Sequence, residues 1–307
     1  MISVKNLVKS FADLRAVDQL TFQIKPGDVV GFLGPNGAGK STTMKMLTGF
    51  LTPTQGSIHI NELGMDRESI EIQKKIGYLP EGAPAYQDMT PWQFLNFIGE
   101  IRGFSGSEKS ARINKVVEQV ELQEVLDKPI DTLSKGFKRR VGLAQALIHD
   151  PEILILDEPT DGLDPNQKDH VRQLIQNLSK DKIVIISTHI LEEVTAVCNR
   201  VMIIAHGKLL FDDSPEALLK KSRYYQAITL YFSYLSDISG LAELEGVANM
   251  EVDKVTGRVT LFPEPDKEIL HLVTAHIQRC KLPVDTLFVE KGRLDEVFRD
   301  ITQKEIA

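Results

Sequence analysis

Apolar positions change their spacing along this chain, and each spacing predicts a different kind of element. At the amino end Ile2 and Val4, then Leu20, Phe22 and Ile24, alternate with polar residues. That period of two predicts exposed antiparallel strands ending at the Pro26-Gly27 turn. The apolar run over residues 28–33 predicts a buried strand, and residues 42–51 predict a helix. From residue 80 to 150 the β-branched runs vanish and helical spacing takes over, as in Trp92, Phe94, Leu95, Phe97, Ile98 and Ile101. It recurs in Ile113, Val116, Val117 and Val120. Strand-length apolar runs return at 153–156, 183–186 and 201–204, separated by helical segments at 167–178 and 190–197. Such alternation predicts a mainly parallel, helix-covered sheet.

After about residue 219 the pattern changes again. Alternating runs at 227–232, 250–253 and 258–262, a helix at 267–280, a strand at 285–290 and a helix at 294–302 predict a small α+β domain. The Thr256-Gly257 turn makes the middle pair of strands a hairpin. The expected organisation is an α/β domain at 1–219 with a helical insert over about 82–150, followed by an accessory α+β domain at 220–307.

Composition narrows the class. With 307 residues, 42% hydrophobic and 26% charged, the chain reads as globular, and a net charge of -7 argues against a nucleic-acid partner. The two cysteines, Cys198 and Cys280, are too few and too far apart for a disulfide framework or a thiolate metal cage, and both read as small core hydrophobes. The first residues show no signal-peptide pattern, and the longest apolar runs fall far short of the ~20 residues that span a bilayer. The chain is expected neither to enter nor to cross a membrane by itself.

The chemistry begins at Gly34-Pro35-Asn36-Gly37-Ala38-Gly39-Lys40-Ser41-Thr42, which fits G-x-x-x-x-G-K-[ST] at every required position, between the strand and the helix that this motif demands. Its glycines let successive backbone N–H groups face phosphate oxygens at a helix N-terminus. Lys40 would reach the β- and γ-phosphates, and the Ser41 hydroxyl would ligate Mg²⁺. The apolar run at 153–156 ends in Asp157-Glu158, the arrangement expected of a Walker B site, with Asp157 orienting the metal shell and Glu158 polarising an attacking water. Leu133-Ser134-Lys135-Gly136-Phe137 precedes a helical run. There Ser134 can donate to a phosphate and Gly136 permits close backbone approach.

In this order the motifs over residues 1–219 resemble the nucleotide-binding subunit of an ATP-binding cassette (ABC) transporter. The resemblance implies a P-loop ATPase core with an antiparallel β subdomain and the helical insert, and it assigns the remaining places. Phe11 is similar to the adenine-stacking aromatic, and Glu81 in Gly77-Tyr78-Leu79-Pro80-Glu81 holds the Q-loop place, able to ligate Mg²⁺ as a carboxylate. Asp164 in Asp161-Gly162-Leu163-Asp164 is similar to the D-loop, and His189 after Ser187-Thr188 matches the switch histidine. Two departures stand out: the signature reads LSKGF rather than LSGGQ, and glutamate replaces the Q-loop glutamine. The Gly-Tyr-Leu-Pro-Glu form, the LSKG signature and the extra C-terminal domain together resemble ABC-2-type exporter cassettes of the gliding-motility, antibiotic-resistance and Na⁺-efflux kind.

The resemblance further implies an ATP- and Mg²⁺-dependent ATPase working as a head-to-tail homodimer. Each ATP would lie between the P-loop of one subunit and Ser134 and Gly136 of the other. The insert near residues 81–102, with Tyr86 and Trp92 as contact residues, would receive an integral membrane permease, placing the subunit on the cytoplasmic face of the membrane. An ABC ATPase not coupled to transport would carry the same motifs.

Overall fold

The computed structural model describes residues 1–82, 85–234 and 237–303. Residues 83, 84, 235, 236 and 304–307, which fall within the expected insert and C-terminal domain, lie outside the described residues. By compactness the chain divides into Met1–Pro215 and Glu216–Ala307.

The first unit opens with β1 (Ile2–Phe11) and β2 (Leu14–Ile24), which pair antiparallel with Ile2 opposite Ile24. β3 (Val29–Leu33) leads into α1 (Lys40–Leu47), and β4 (Gln55–Ile60), β5 (Leu63–Gly64), α2 (Ser69–Lys74) and β6 (Ile76–Leu79) follow. The helical stretch then runs through α3 (Pro91–Ile101), α4 (Gly106–Gln119) and α5 (Lys135–Leu147). After it come β7 (Ile153–Asp157), α6 (Pro165–Leu178), β8 (Ile183–Thr188), α7 (Leu191–Val197), β9 (Arg200–Ala205) and β10 (Lys208–Asp213).

Two sheets share one core. The larger has the order β10-β9-β3-β8-β7-β6, parallel except for β10, and the smaller is antiparallel in the order β2-β1-β4-β5. Every residue of β3, β7 and β8 is buried, as parallel strands covered on both faces require. The Phe22 ring of β2 meets the Phe32 ring of β3 edge-on at 5.6 Å. Truncating such a buried phenylalanine to alanine costs about 3–5 kcal/mol. The amino-terminal strands are therefore not exposed as their alternation suggested: Ile2, Val4, Leu20, Phe22 and Ile24 all lie in the core, and only the polar face meets water. The helix after β3 stops at Leu47, short of the predicted residue 51, because Gly49 turns into the left-handed region at φ +75°. The carboxyl ends of β3, β7 and β8 point the same way, which in open α/β sheets is where ligands bind.

The helical layer is pinned by its caps. Thr90 and Gln93 form a reciprocal capping box at the start of α3, with Pro91 at the first helical position, and α4 buries Ile113, Val116 and Val117.

The second unit starts within α8 (Pro215–Leu219). It continues with β11 (Tyr225–Phe232), α9 (Ser239–Ala242), β12 (Val247–Asp253), β13 (Arg258–Pro263), α10 (Leu270–Cys280), β14 (Val284–Lys291) and α11 (Leu294–Gln303). Its antiparallel sheet has the order β12-β13-β11-β14, with Ile228, Leu230, Val259, Leu261 and Val273 in its core. The predicted hairpin forms between β12 and β13, where the Asp253 carboxylate accepts from Val255 N–H and from the Thr256 hydroxyl at 2.7 Å. The cysteines divide. Cys198 is buried, and burial pushes its thiol up to about 12, whereas Cys280 is exposed and is not a core residue.

Candidate functional site

The loop of residues 34–42 joins β3 to α1 and presents Pro35, Asn36 and Gly37 to solvent, while Gly34, Ala38, Gly39 and Lys40 are buried. Gly39 takes φ +105°, and a Cβ there would lie 2.5 Å from the Ala16 carbonyl oxygen, so only glycine fits. It precedes α1 without offering a side-chain cap, which leaves first-turn N–H groups for an anion. Ser41 and Thr42 are partly exposed on that turn. Lys40 donates to the Gly34 and Pro35 carbonyls at 2.7 and 3.1 Å. Burial holds its ammonium below the usual lysine range, opposed by the charges of Glu158, Asp157 and Glu81. Three carboxylates from two strand ends thus act on one loop lysine.

Asp157, the last residue of β7, is almost wholly buried. One of its oxygens, Oδ1, accepts from the Ser187 hydroxyl of β8, while Oδ2 has no partner. A buried carboxylate oxygen left bare suits a cation, and the partly exposed Ser41 hydroxyl is a matching neutral donor, so the set fits a hard divalent ion with oxygen ligands. Glu158 turns away at φ +52°, with its N–H held by the Ser187 carbonyl at 3.1 Å. Its Oε2 lies 3.0 Å from His189 Nδ1 at the end of β8. Burial raises the Glu158 carboxyl above the ordinary carboxylate range, and the hydrogen bond and charge of His189 pull against that rise.

Glu81 is exposed just past β6 and joins the carboxylates acting on Lys40. The remaining candidates have contacts of their own. Ser134 caps α5, accepting from Phe137 N–H at 3.3 Å, and Gly136 is buried against Gln167 and Leu163. Asp164 caps α6, accepting from Gln167 N–H at 2.9 Å, and Phe11 is exposed with the Lys9 ammonium over its ring at 5.1 Å. Among the described residues no hydrogen bond joins Phe11, Ser134 or Asp164 to Lys40, Asp157 or Glu158.

Three participants escaped the sequence reading. Ser187 holds Asp157. The buried Glu193 of α7 accepts from the hydroxyls of Thr188, at 2.9 Å, and Thr160, and lies 3.6 Å from the Lys168 ammonium. Arg139 of α5 donates to backbone carbonyls at the ends of β6 and β7. No local pattern marks any of them, because each acts on a partner distant in sequence.

The family described as ABC transporter matches residues 17–161. The chain is 40% identical over 283 residues to the uncharacterized ABC transporter ATP-binding protein YxlF of Bacillus subtilis (strain 168), covering 92% of this chain and 90% of that protein.

This chain belongs to the ABC transporter family.

As an ABC transporter ATP-binding subunit, it is an ATP-binding cassette and an ATPase. It is also 40% identical over 227 residues to the bacitracin transport ATP-binding protein BcrA of Bacillus licheniformis, across 73% of each chain. The linearmycin resistance ATP-binding protein LnrL of Bacillus subtilis (strain 168) is 29% identical over 305 residues, 98% of each chain. Among solved structures, the dimeric bacterial ABC transporter cassette MJ0796 superposes with a TM-score of 0.66 at 25% identity, over 70% of this chain and 99% of that one.

Proposed function

We propose that this cassette is the ATPase subunit of an ABC-2-type exporter, closing head-to-tail with a second copy around ATP and driving a separate membrane permease. The observation that carries the chemistry is the meeting of Lys40, Asp157, Glu158 and His189 at one end of the parallel sheet. Residues 34–42 bind the phosphates, with Lys40 facing the β- and γ-groups and the adenine stacked on Phe11. Glu158, desolvated and oriented by His189, takes the proton of the attacking water. A magnesium ion held by Ser41, Asp157 and Glu81 would offset the negative charge of the phosphates. Ser134 and Gly136 serve the partner's nucleotide, which accords with Ser134 making no hydrogen bond to Lys40, Asp157 or Glu158 among the described residues, and Asp164 serves the same junction.

The export reading draws on the relatives, whose names speak of bacitracin transport and linearmycin resistance. No helix among the described residues is long and apolar enough to cross a membrane, so membrane attachment is assigned to the permease, on the cytoplasmic face. Tyr86 is exposed but rests edge-on against Phe97 at 5.4 Å, and Trp92 is half-buried, its backbone N–H donating to the Leu126 carbonyl. A groove of about 510 Å³ lined by Phe50, Ile70, Ile98, Ile101 and Arg102 is the better seat for a permease helix. Its Phe50, Ile70 and Ile101 side chains are exposed by 74, 68 and 64%. Residues 1–219 form the motor and 220–307 an accessory domain, and the acidic net charge gives no reason to invoke nucleic acid.

Calorimetry tests the nucleotide site. Lys40→Ala should weaken ATP binding by roughly tenfold or more, since it removes the cation facing the phosphates. Unchanged affinity overturns the assignment. Light scattering of Glu158→Gln tests the dimer, which should appear with ATP and be absent with ADP.

A further inference from the structure

β6 is an edge strand of the six-stranded sheet, and α5 with the turn after it lies along that edge. Three side chains donate to alternate carbonyls of the strand and its extension: His149 Nε2 to Ile76 at 3.0 Å, Gln145 Nε2 to Tyr78 at 3.3 Å, and Arg139 to Pro80 at 3.2 Å. The helix thereby supplies donors that a further strand would have supplied. Gly77 permits the approach, because a Cβ there would lie 2.1 Å from the Ala146 carbonyl oxygen.

The Arg139 end of this ladder does more than cover an edge. The same guanidinium reaches across to β7, donating to the Asp157 carbonyl at 2.8 Å and to the Glu158 carbonyl. It therefore spans the backbone immediately before Glu81 and the backbone of Asp157 and Glu158 at the end of β7. Arg139 is only 5% exposed, and among the described residues no carboxylate forms an ion pair with it. A buried cation without such a pair is costly, and hydrophobic packing alone would have been served by an apolar side chain. Burial holds its guanidinium below the usual arginine range, opposed by the charges of Asp161, Asp157, Glu158 and Glu81, and its donors are spent on three backbone carbonyls. One of those carbonyls belongs to Glu158, which sits at φ +52°, a left-handed conformation that a non-glycine residue keeps only when its surroundings hold it.

We propose that Arg139 is a positioning residue for hydrolysis, holding the Glu158 peptide and the start of the Glu81 loop in register with the helix that Ser134 caps. The inference rests on reading Glu158 as the base and adds what keeps that base aimed. Without the three-carbonyl fork the Glu158 peptide relaxes and its carboxylate moves off the water, while the phosphate contacts of residues 34–42 stay in place. Displacements of about 1 Å at a reacting group are enough to cost roughly 100-fold in rate.

The test is steady-state ATPase of the full chain as a function of ATP concentration for Arg139→Met, Arg139→Lys and Glu158→Gln, with thermal melting of each. The expected result is a kcat lowered roughly tenfold or more in Arg139→Met with KM for ATP within about twofold of wild type. Arg139→Lys, which keeps the charge but not the fork, should fall between the two. Wild-type kcat in folded Arg139→Lys and Arg139→Met, accompanied only by a lower melting temperature, would show a purely structural residue and overturn the proposal. If Arg139→Met does not fold, Arg139→Lys decides by the same split of kcat from KM. Glu158→Gln separates the two layers: if it turns over normally, the reading of Glu158 fails. If it is inactive while the Arg139 variants match wild type, the positioning role alone fails.

Discussion

Glu158 and His189 meet across the ends of β7 and β8, with the carboxylate Oε2 3.0 Å from the imidazole Nδ1. The contact orients a carboxylate that burial has made more basic than usual, and both properties suit the proton abstraction proposed for it. Glu158→Gln keeps shape and size but cannot take a proton. It should lower kcat by about 10²- to 10⁴-fold while ATP binding persists. Phosphate release by the purified variant at a wild-type rate would remove Glu158 from the role of base.

Glu81 contributes negative charge at Lys40, where the resemblance implies an uncharged glutamine. If that charge serves the metal, Glu81→Gln should leave hydrolysis largely intact but raise the Mg²⁺ concentration for half-maximal rate, and Glu81→Ala should be worse. Titrating basal ATPase against Mg²⁺ reads this directly. Identical midpoints for wild type and both variants would exclude a metal-side role.

His149 sets a pH dependence of stability. Its Nε2–H donates to the Ile76 carbonyl and its Nδ1 is buried without a partner, so a second proton is unwelcome. Burial, helped by the charge of Arg102, lowers the imidazole from 6.5 to about 4. The neutral ring's contribution is therefore fully present above about pH 6.5 and is lost as pH falls toward 4. Allowing for solvent around a half-buried ring, wild type should lose about 1 kcal/mol more than His149→Gln between pH 7 and pH 5. Urea melts at the two pH values give the difference, and equal losses would contradict the account.

Glu193 ties the segment after β7 to the end of β8. Removing it in Glu193→Ala strands the Thr160 and Thr188 hydroxyls in a buried site, at about 1–3 kcal/mol for each lost acceptor. Glu193→Gln keeps an acceptor and the volume, so it should be the milder change. Equilibrium unfolding in denaturant ranks them; alanine within about 0.5 kcal/mol of wild type would mean that the network is slack.

The phosphate loop, the apolar strands carrying Asp157 and His189, and most helices were legible because their signals are local. Residues 34–42 are contiguous, and periods of two or 3.6 are read within a single element. The four-residue β6, interrupted by Gly77, offered too short a run to be predicted, and its existence depends on pairing with β7 and on the cover of α5. Alternation in β1 and β2 told which residues share a face but not that this face is buried, which the second sheet decides through contacts such as Phe22 on Phe32. The composition that made Cys198 and Cys280 look alike could not separate a buried thiol from one left exposed at the end of α10. Arg139, Ser187 and Glu193 were invisible for a related reason. Their partners lie 18, 30 and 33 residues away for the bonds to Asp157, Asp157 and Thr160. Sequence alone therefore determined which chemical groups the chain carries and which faces of its elements are apolar. Tertiary structure decided which buried donor meets which acceptor, because a hydrogen bond between distant residues is specified only when sheet order brings their elements side by side.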